Sequence, residues 1–104
     1  MEIENEIRRA IESGKVVLGY RECEKNVLKG IGRLLIVSKR FEKKKVEKLE
    51  HIAEVAKIPF LSFDRSPMEL GAICGKPYAV STILVLDAGK SKIMEAVKRG
   101  EKKK

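Results

Sequence analysis

The sequence predicts an α/β fold in which helices cover both faces of a central, largely parallel sheet. Three observations predict it. Some stretches repeat apolar residues at a helical period, and others are short, unbroken β-rich runs. The two kinds alternate along the chain in the order α-β-α-β-α-β-α-β-α. The chain has 104 residues, enough for one hydrophobic core but not for two. A single domain over residues 1–100 is therefore expected, with a basic tail, Glu101 to Lys104, left disordered. No internal repeat or linker interrupts it.

Ile3, Ile7, Ala10 and Ile11 recur at helical spacing between Glu and Arg residues, an amphipathic helix stopped by Ser13-Gly14. Lys15 to Gly19 reads as the first strand. Tyr20 to Lys29 reads as a helix with Cys23, Val27 and Leu28 inward and Gly30 near its end. Arg33 to Ser38 is apolar enough to be a strand buried on both faces. Lys39 to Lys45 reads as a basic loop. The long helix after it carries the stripe Val46, Leu49, Ile52, Ala53 and Ala56, and Lys57-Ile58-Pro59 stops it. Phe60 to Phe63 is a short third strand. Ser66-Pro67-Met68-Glu69 is a helix start: Ser66 caps, Pro67 suits the first turn and Glu69 completes a capping box. That helix is expected to end near Gly75. Ala79 to Asp87 reads as the longest strand, and Asp87-Ala88-Gly89 turns into a last helix around Ile93, Met94 and Val97.

Charged residues make up 37 % of the chain, against an average of about 25 %. Lys and Glu dominate, Asp occurs only at Asp64 and Asp87, and Gln is absent, a composition in keeping with a thermophilic source. The net charge is +8 and the pI about 9.6. A basic surface draws polyanions, which favours a nucleic acid over an anionic membrane or an acidic protein. The N-terminus is acidic, with no apolar signal-peptide core, and the apolar run Ile83 to Leu86 is far too short to span a bilayer. Cys23 and Cys74 are far apart in sequence and read as small buried hydrophobes of a reduced, cytosolic chain.

Catalytic and cofactor chemistry has little to stand on. His51 is the one histidine and lies off its helix's apolar stripe, so it reads as structural. No H-x-x-x-H or C-x-x-C spacing offers a zinc site, and no phosphate-binding glycine loop follows a strand. Gly30-Ile31-Gly32 precedes a strand and reads as a helix exit and turn. No cofactor or metal is expected.

Loops carrying glycine, cations and an aromatic remain. In Gly19-Tyr20-Arg21-Glu22, Gly19 allows a close backbone approach, and the helix N-terminus behind it offers free N–H groups to a phosphate. Arg21 adds a guanidinium, and Lys25 lies one turn on. Lys39 and Arg40 open a run of five cations in seven residues, to Lys45, that could track a nucleic-acid backbone or simply form a solvated helix entry. In the loop from Gly71 to Val80, Gly75 and Pro77 fix the backbone, Lys76 supplies charge and Tyr78 a flat face on which an unstacked RNA base can stack. If the fourth strand runs antiparallel to the first two, the sheet is mixed and all three loops share one edge.

On these residues the chain resembles the family of archaeal and eukaryotic large-subunit ribosomal protein number thirty, within the wider kink-turn RNA-binding superfamily. The stretch Ser66 to Ser81 resembles the family's second signature and Gly14 to Arg21 its first, with Leu34 to Val37 and Ile58-Pro59 fitting the strands between. The resemblance implies a three-layer α/β/α sandwich with a four-stranded mixed sheet and about five helices. It also implies a place in the cytoplasmic large ribosomal subunit and binding to kinked RNA. The implied RNA contacts are Gly19, Arg21 and Lys25 in the first loop and helix, and Tyr78 beside Gly75, Lys76 and Pro77 in the third. Lys39-Arg40-Phe41 departs from the Asn and Pro that relatives carry in the second loop, and the first loop lacks the Asn-Glu pair of stand-alone kink-turn binders.

The partner expected is therefore ribosomal RNA, with neighbouring ribosomal proteins admitted, no membrane, and a monomer when free. Two alternatives stand beside this reading. One is a stand-alone kink-turn binder in a guide-RNA modification particle, or an autoregulator of its own message. The other is a small-molecule enzyme or sensor built on the same sandwich.

Overall fold

The computed structural model describes residues 3–95. Its elements are α1 (Ile3–Ser13), β1 (Lys15–Leu18), α2 (Tyr20–Leu28), β2 (Leu34–Ser38), α3 (Lys43–Ala56), β3 (Phe60–Phe63), α4 (Pro67–Ile73) and β4 (Thr82–Asp87). A last helix begins at Ile93. Its expected continuation through Val97, and the tail from Glu101, lie outside the described residues.

The strands form one mixed sheet in the order β1-β4-β2-β3. β4 inserts between β1 and β2 and runs antiparallel to both, while β2 and β3 pair in parallel. This is the four-stranded mixed sheet that the resemblance implies, with β4 reversed as a shared loop edge requires; the largely parallel sheet expected from the alternation of helices and strands is corrected. β1, β2 and β3 do point one way, but the reversed β4 separates two of them, so only one neighbouring pair is parallel.

Alternation along the strands sends side chains to two separate cores. Leu34, Ile36, Ile83 and Val85 pack against Ile7 and Ala10 of α1, Leu70 and Ile73 of α4, and Ile93. Leu35, Val37 and Leu84 pack against Cys23 and Val27 of α2 and Leu49 and Ala53 of α3. The result is three layers, α/β/α. β2 is buried along its whole length, as an inner strand with helices on both faces must be.

Four local expectations are corrected. Lys43, Lys44 and Lys45 lie in the first turn of α3 rather than in a loop, since lysine is a good helix former. β4 starts at Thr82 and not at Ala79, because the Val80 N–H turns away to the Pro67 carbonyl at 2.9 Å. α4 ends at Ile73, so Gly71 to Ile73 are helix rather than loop. Leu28, expected inward, is 66 % exposed, because Cys23 and Val27 define the buried face of α2 and Leu28 follows a third of a turn later.

The end of the sheet away from the loops is closed by backbone packed on backbone. A Cβ on Gly14 would strike the Asp87 carbonyl, and one on Gly89 would lie 2.5 Å from the Ser13 backbone. On α1, buried Glu6 accepts the Lys92 N–H at 2.7 Å and pairs with Arg9 at 3.4 Å, joining the start of the last helix to the first.

Candidate nucleic-acid interface

Because β4 is reversed, the chain leaves β1, β2 and β3 and enters β4 at the same end of the sheet. The β1–α2, β2–α3, β3–α4 and α4–β4 connections therefore form one rim. Backbone hydrogen bonds hold it together. The Gly19 N–H donates to the Thr82 carbonyl at 2.9 Å, Ser38 N–H to Ser81 at 2.8 Å, and Lys39 N–H to Phe63 at 2.8 Å.

In the first loop Gly19 has φ 102, a conformation open to glycine, and its Cα faces open space. No side chain caps the N-terminus of α2. Arg21, Glu22 and Lys25 are exposed there. Tyr20 is half-buried and engaged: its ring lies 5.9 Å from that of Phe41, its hydroxyl donates to Glu24 at 3.4 Å, and the Lys45 ammonium sits 5.2 Å from its centroid. The ring of Tyr20 thus ties the first loop to the second instead of facing solvent.

The second loop exposes Lys39 and Arg40. Arg40 is held by Asp64 at 3.4 Å, and its N–H reaches the Ser38 hydroxyl at 3.2 Å. Ser38 is fully buried at the end of an otherwise apolar strand, and its hydroxyl donates to the Arg65 carbonyl. One buried hydroxyl therefore couples the second loop to the β3–α4 turn. Phe41 packs on the α2–α3 core and shares the Lys45 ammonium at 5.6 Å.

The third loop, Gly75 to Ser81, crosses α4 at close range. A Cβ on Gly71 would run into the Tyr78 carbonyl, and the Lys76 N–H donates to the Gly71 carbonyl at 2.9 Å. Gly75 has φ 75. Lys76 and Pro77 are exposed, and Tyr78, 54 % exposed, turns an aromatic ring to solvent on a fixed backbone.

Among the described residues no carboxylate lies within ion-pair distance of Arg21, Lys25, Lys39 or Lys76. These cations of the rim are available to a polyanion. Nucleophilic chemistry is poorly served. Burial pushes the Cys74 thiol up to about 11 and the Cys23 thiol up to about 12, so neither is a thiolate near neutrality. Among the described residues no group of three or more His, Cys, Asp and Glu is placed to hold a metal ion, and no helix is long and apolar enough to cross a membrane. His51 is exposed on α3.

A family described as the ribosomal protein L7Ae/L30e/S12e/Gadd45 family matches residues 1–95. The chain belongs to this family. Its relatives include the large ribosomal subunit protein eL30 of Methanocaldococcus jannaschii, 39 % identical over 101 residues, covering 97 % of this chain and 92 % of that one. The eL30 of Methanobrevibacter smithii is 36 % identical over 95 residues (91 % and 96 %), and that of Methanothermobacter thermautotrophicus 33 % over 97 residues (93 % and 99 %). These relatives are archaeal ribosomal proteins, and family membership runs through every element that builds the rim.

The structure brings Gly19, Tyr20, Arg21, Glu22, Lys39, Arg40, Gly75, Lys76, Pro77 and Tyr78 to the rim, with Lys25 one turn along α2. Sequence reasoning missed the β3–α4 turn, Asp64 and Arg65. The signal was present, since the third strand shares the direction of the second and its exit must lie beside Lys39.

Proposed function

We propose that this protein is a structural constituent of the large ribosomal subunit in the cytoplasm and that its loop rim grips kinked ribosomal RNA. The observation that carries this reading is the convergence of unpaired cations and the exposed Tyr78 ring on one rigid rim. Arg21, Lys25, Lys39 and Lys76 meet phosphates, and the helix N-terminus behind Gly19 lets a backbone approach its N–H groups. Tyr78 stacks on a base turned out of the helix, which a kink supplies and a straight duplex does not. Glu22 accepts from base or sugar donors rather than from phosphate. Neighbouring ribosomal proteins complete its surroundings. The protein performs no catalysis.

The test is a titration of kinked and straight RNA over a range of salt. Neutralising about four phosphates gives a log–log salt slope of about −3. Tyr78→Ala is expected to weaken kinked-RNA binding about tenfold, as the loss of one stacked base does. Lys29→Ala, at the other end of α2, is expected to change it little. Equal, small effects of both would sink the reading. Recovery of small guide RNA, rather than ribosomal RNA, from cell extract would move the protein to a modification particle.

A further inference from the structure

We infer that Arg65, on the β3–α4 turn, is a further RNA contact that takes a backbone phosphate in the place now filled by Glu4. This inference rests on the loop rim being the RNA-binding surface.

The β3–α4 turn is fastened into that rim at two points. Lys39 N–H donates to the Phe63 carbonyl at 2.8 Å, and the Ser38 hydroxyl donates to the Arg65 carbonyl itself. The backbone of Arg65 is therefore as fixed as the loops beside it. Its side chain is also set in direction. The guanidinium carbon lies 5.8 Å from the centre of the Phe63 ring, and one Nη donates to the Asp64 carbonyl at 2.8 Å. The other Nη donates to Glu4 of α1 at 3.2 Å. A guanidinium placed over an aromatic ring, half-exposed and already donating to one carboxylate, is prepared for an oxyanion.

Glu4 shows what kind of group fits. Phosphate and carboxylate present two oxygens to a guanidinium in the same fork geometry. The Arg65–Glu4 pair is open to water, with the two side chains 44 % and 42 % exposed. Such a pair is weak and exchanges readily. An RNA phosphate brings a denser negative charge and releases condensed counterions on binding, so it displaces the carboxylate. Arg65 then extends the phosphate track from Lys39 and Arg40 to the β3 side of the sheet. That is the side opposite Arg21, because β3 and β1 are the two outer strands.

The test uses the full chain and two variants against kinked RNA over a range of salt, with thermal midpoints measured in parallel. Arg65→Ala is expected to bind about fivefold more weakly and to lower the salt slope by about one, the mark of one lost phosphate contact. Glu4→Gln breaks the same ion pair but keeps the guanidinium. It is expected to bind at least as tightly as the parent with an unchanged slope. If Glu4→Gln weakens binding as much as Arg65→Ala, the pair is only a staple between α1 and the turn, and the inference is wrong. It is equally wrong if Arg65→Ala keeps the full slope while the parent binds. A parent chain that binds no RNA overturns this inference together with the reading beneath it.

Discussion

Single residues decide how the rim is built. Gly71 lies in α4 where helix propensity would prefer alanine, yet the Tyr78 carbonyl leaves no room for a methyl group. Gly71→Ala is therefore expected to destabilise the fold by about 1–3 kcal/mol through overpacking, read as a lower denaturant midpoint with an unchanged slope. It should also displace Tyr78 and weaken RNA binding. The glycine signature was visible in the sequence, but its reason was not, because a close approach between Gly71 and Tyr78 leaves no periodic trace. The same holds for Tyr20. In the sequence it is an aromatic beside Arg21 in a loop, and only the fold shows its ring occupied by Phe41 and Lys45.

Whole elements were more legible. Helical periodicity placed α1 and α3, the helix-start signals at Ser66 to Glu69 placed α4, and Phe60–Phe63 was read to the residue. The capping box was read from Ser66-x-x-Glu69 and is present in both directions: the Ser66 hydroxyl accepts the Glu69 N–H at 3.2 Å, and Glu69 accepts the Ser66 N–H at 3.1 Å. Ser66→Ala should cost about 1 kcal/mol. The box is also pH-dependent. Hydrogen bonds from the Ser66 backbone and side chain hold the Glu69 carboxyl below its ordinary value of 4.5. Its contribution is present above that value and lost as pH falls through the lower folded one. The acid limb of the stability–pH curve should therefore flatten in Glu69→Gln. Where elements were misread, composition misled. The lysine run at 43–45 looked like a loop because it is charged, and Ala79 to Ser81 looked like strand because Val80 continues the Val, Ile and Thr-rich run to Asp87.

At the scale of the molecule, alternation of helix and strand was enough for three layers, but the direction of β4 was not readable from its residues. An inner strand buried on both faces has the same apolar run whichever way it points. The two cores leave a signature of their own. Cys23 lies in one and Cys74 in the other, with thiols pushed by burial to about 12 and about 11 from an ordinary 9.0. The unfolded thiols ionise first as pH rises, so the unfolded state gains and stability falls between about 9 and the folded values. Cys→Ser variants are a poor probe because they bury a hydroxyl. Alkylation of the parent is cleaner, and both thiols should react only as fast as the molecule opens. The strand order has a consequence for the order of events during synthesis. β4 emerges last of the strands yet lies between β1 and β2, and it pairs Lys15 with Asp87 across most of the chain. Until β4 is made, β1 has no strand neighbour and β2 lacks its antiparallel one. Such long-range closure is slow. The rim, whose first two loops are tied to Thr82 and Ser81, is therefore assembled only when β4 takes its place between β1 and β2.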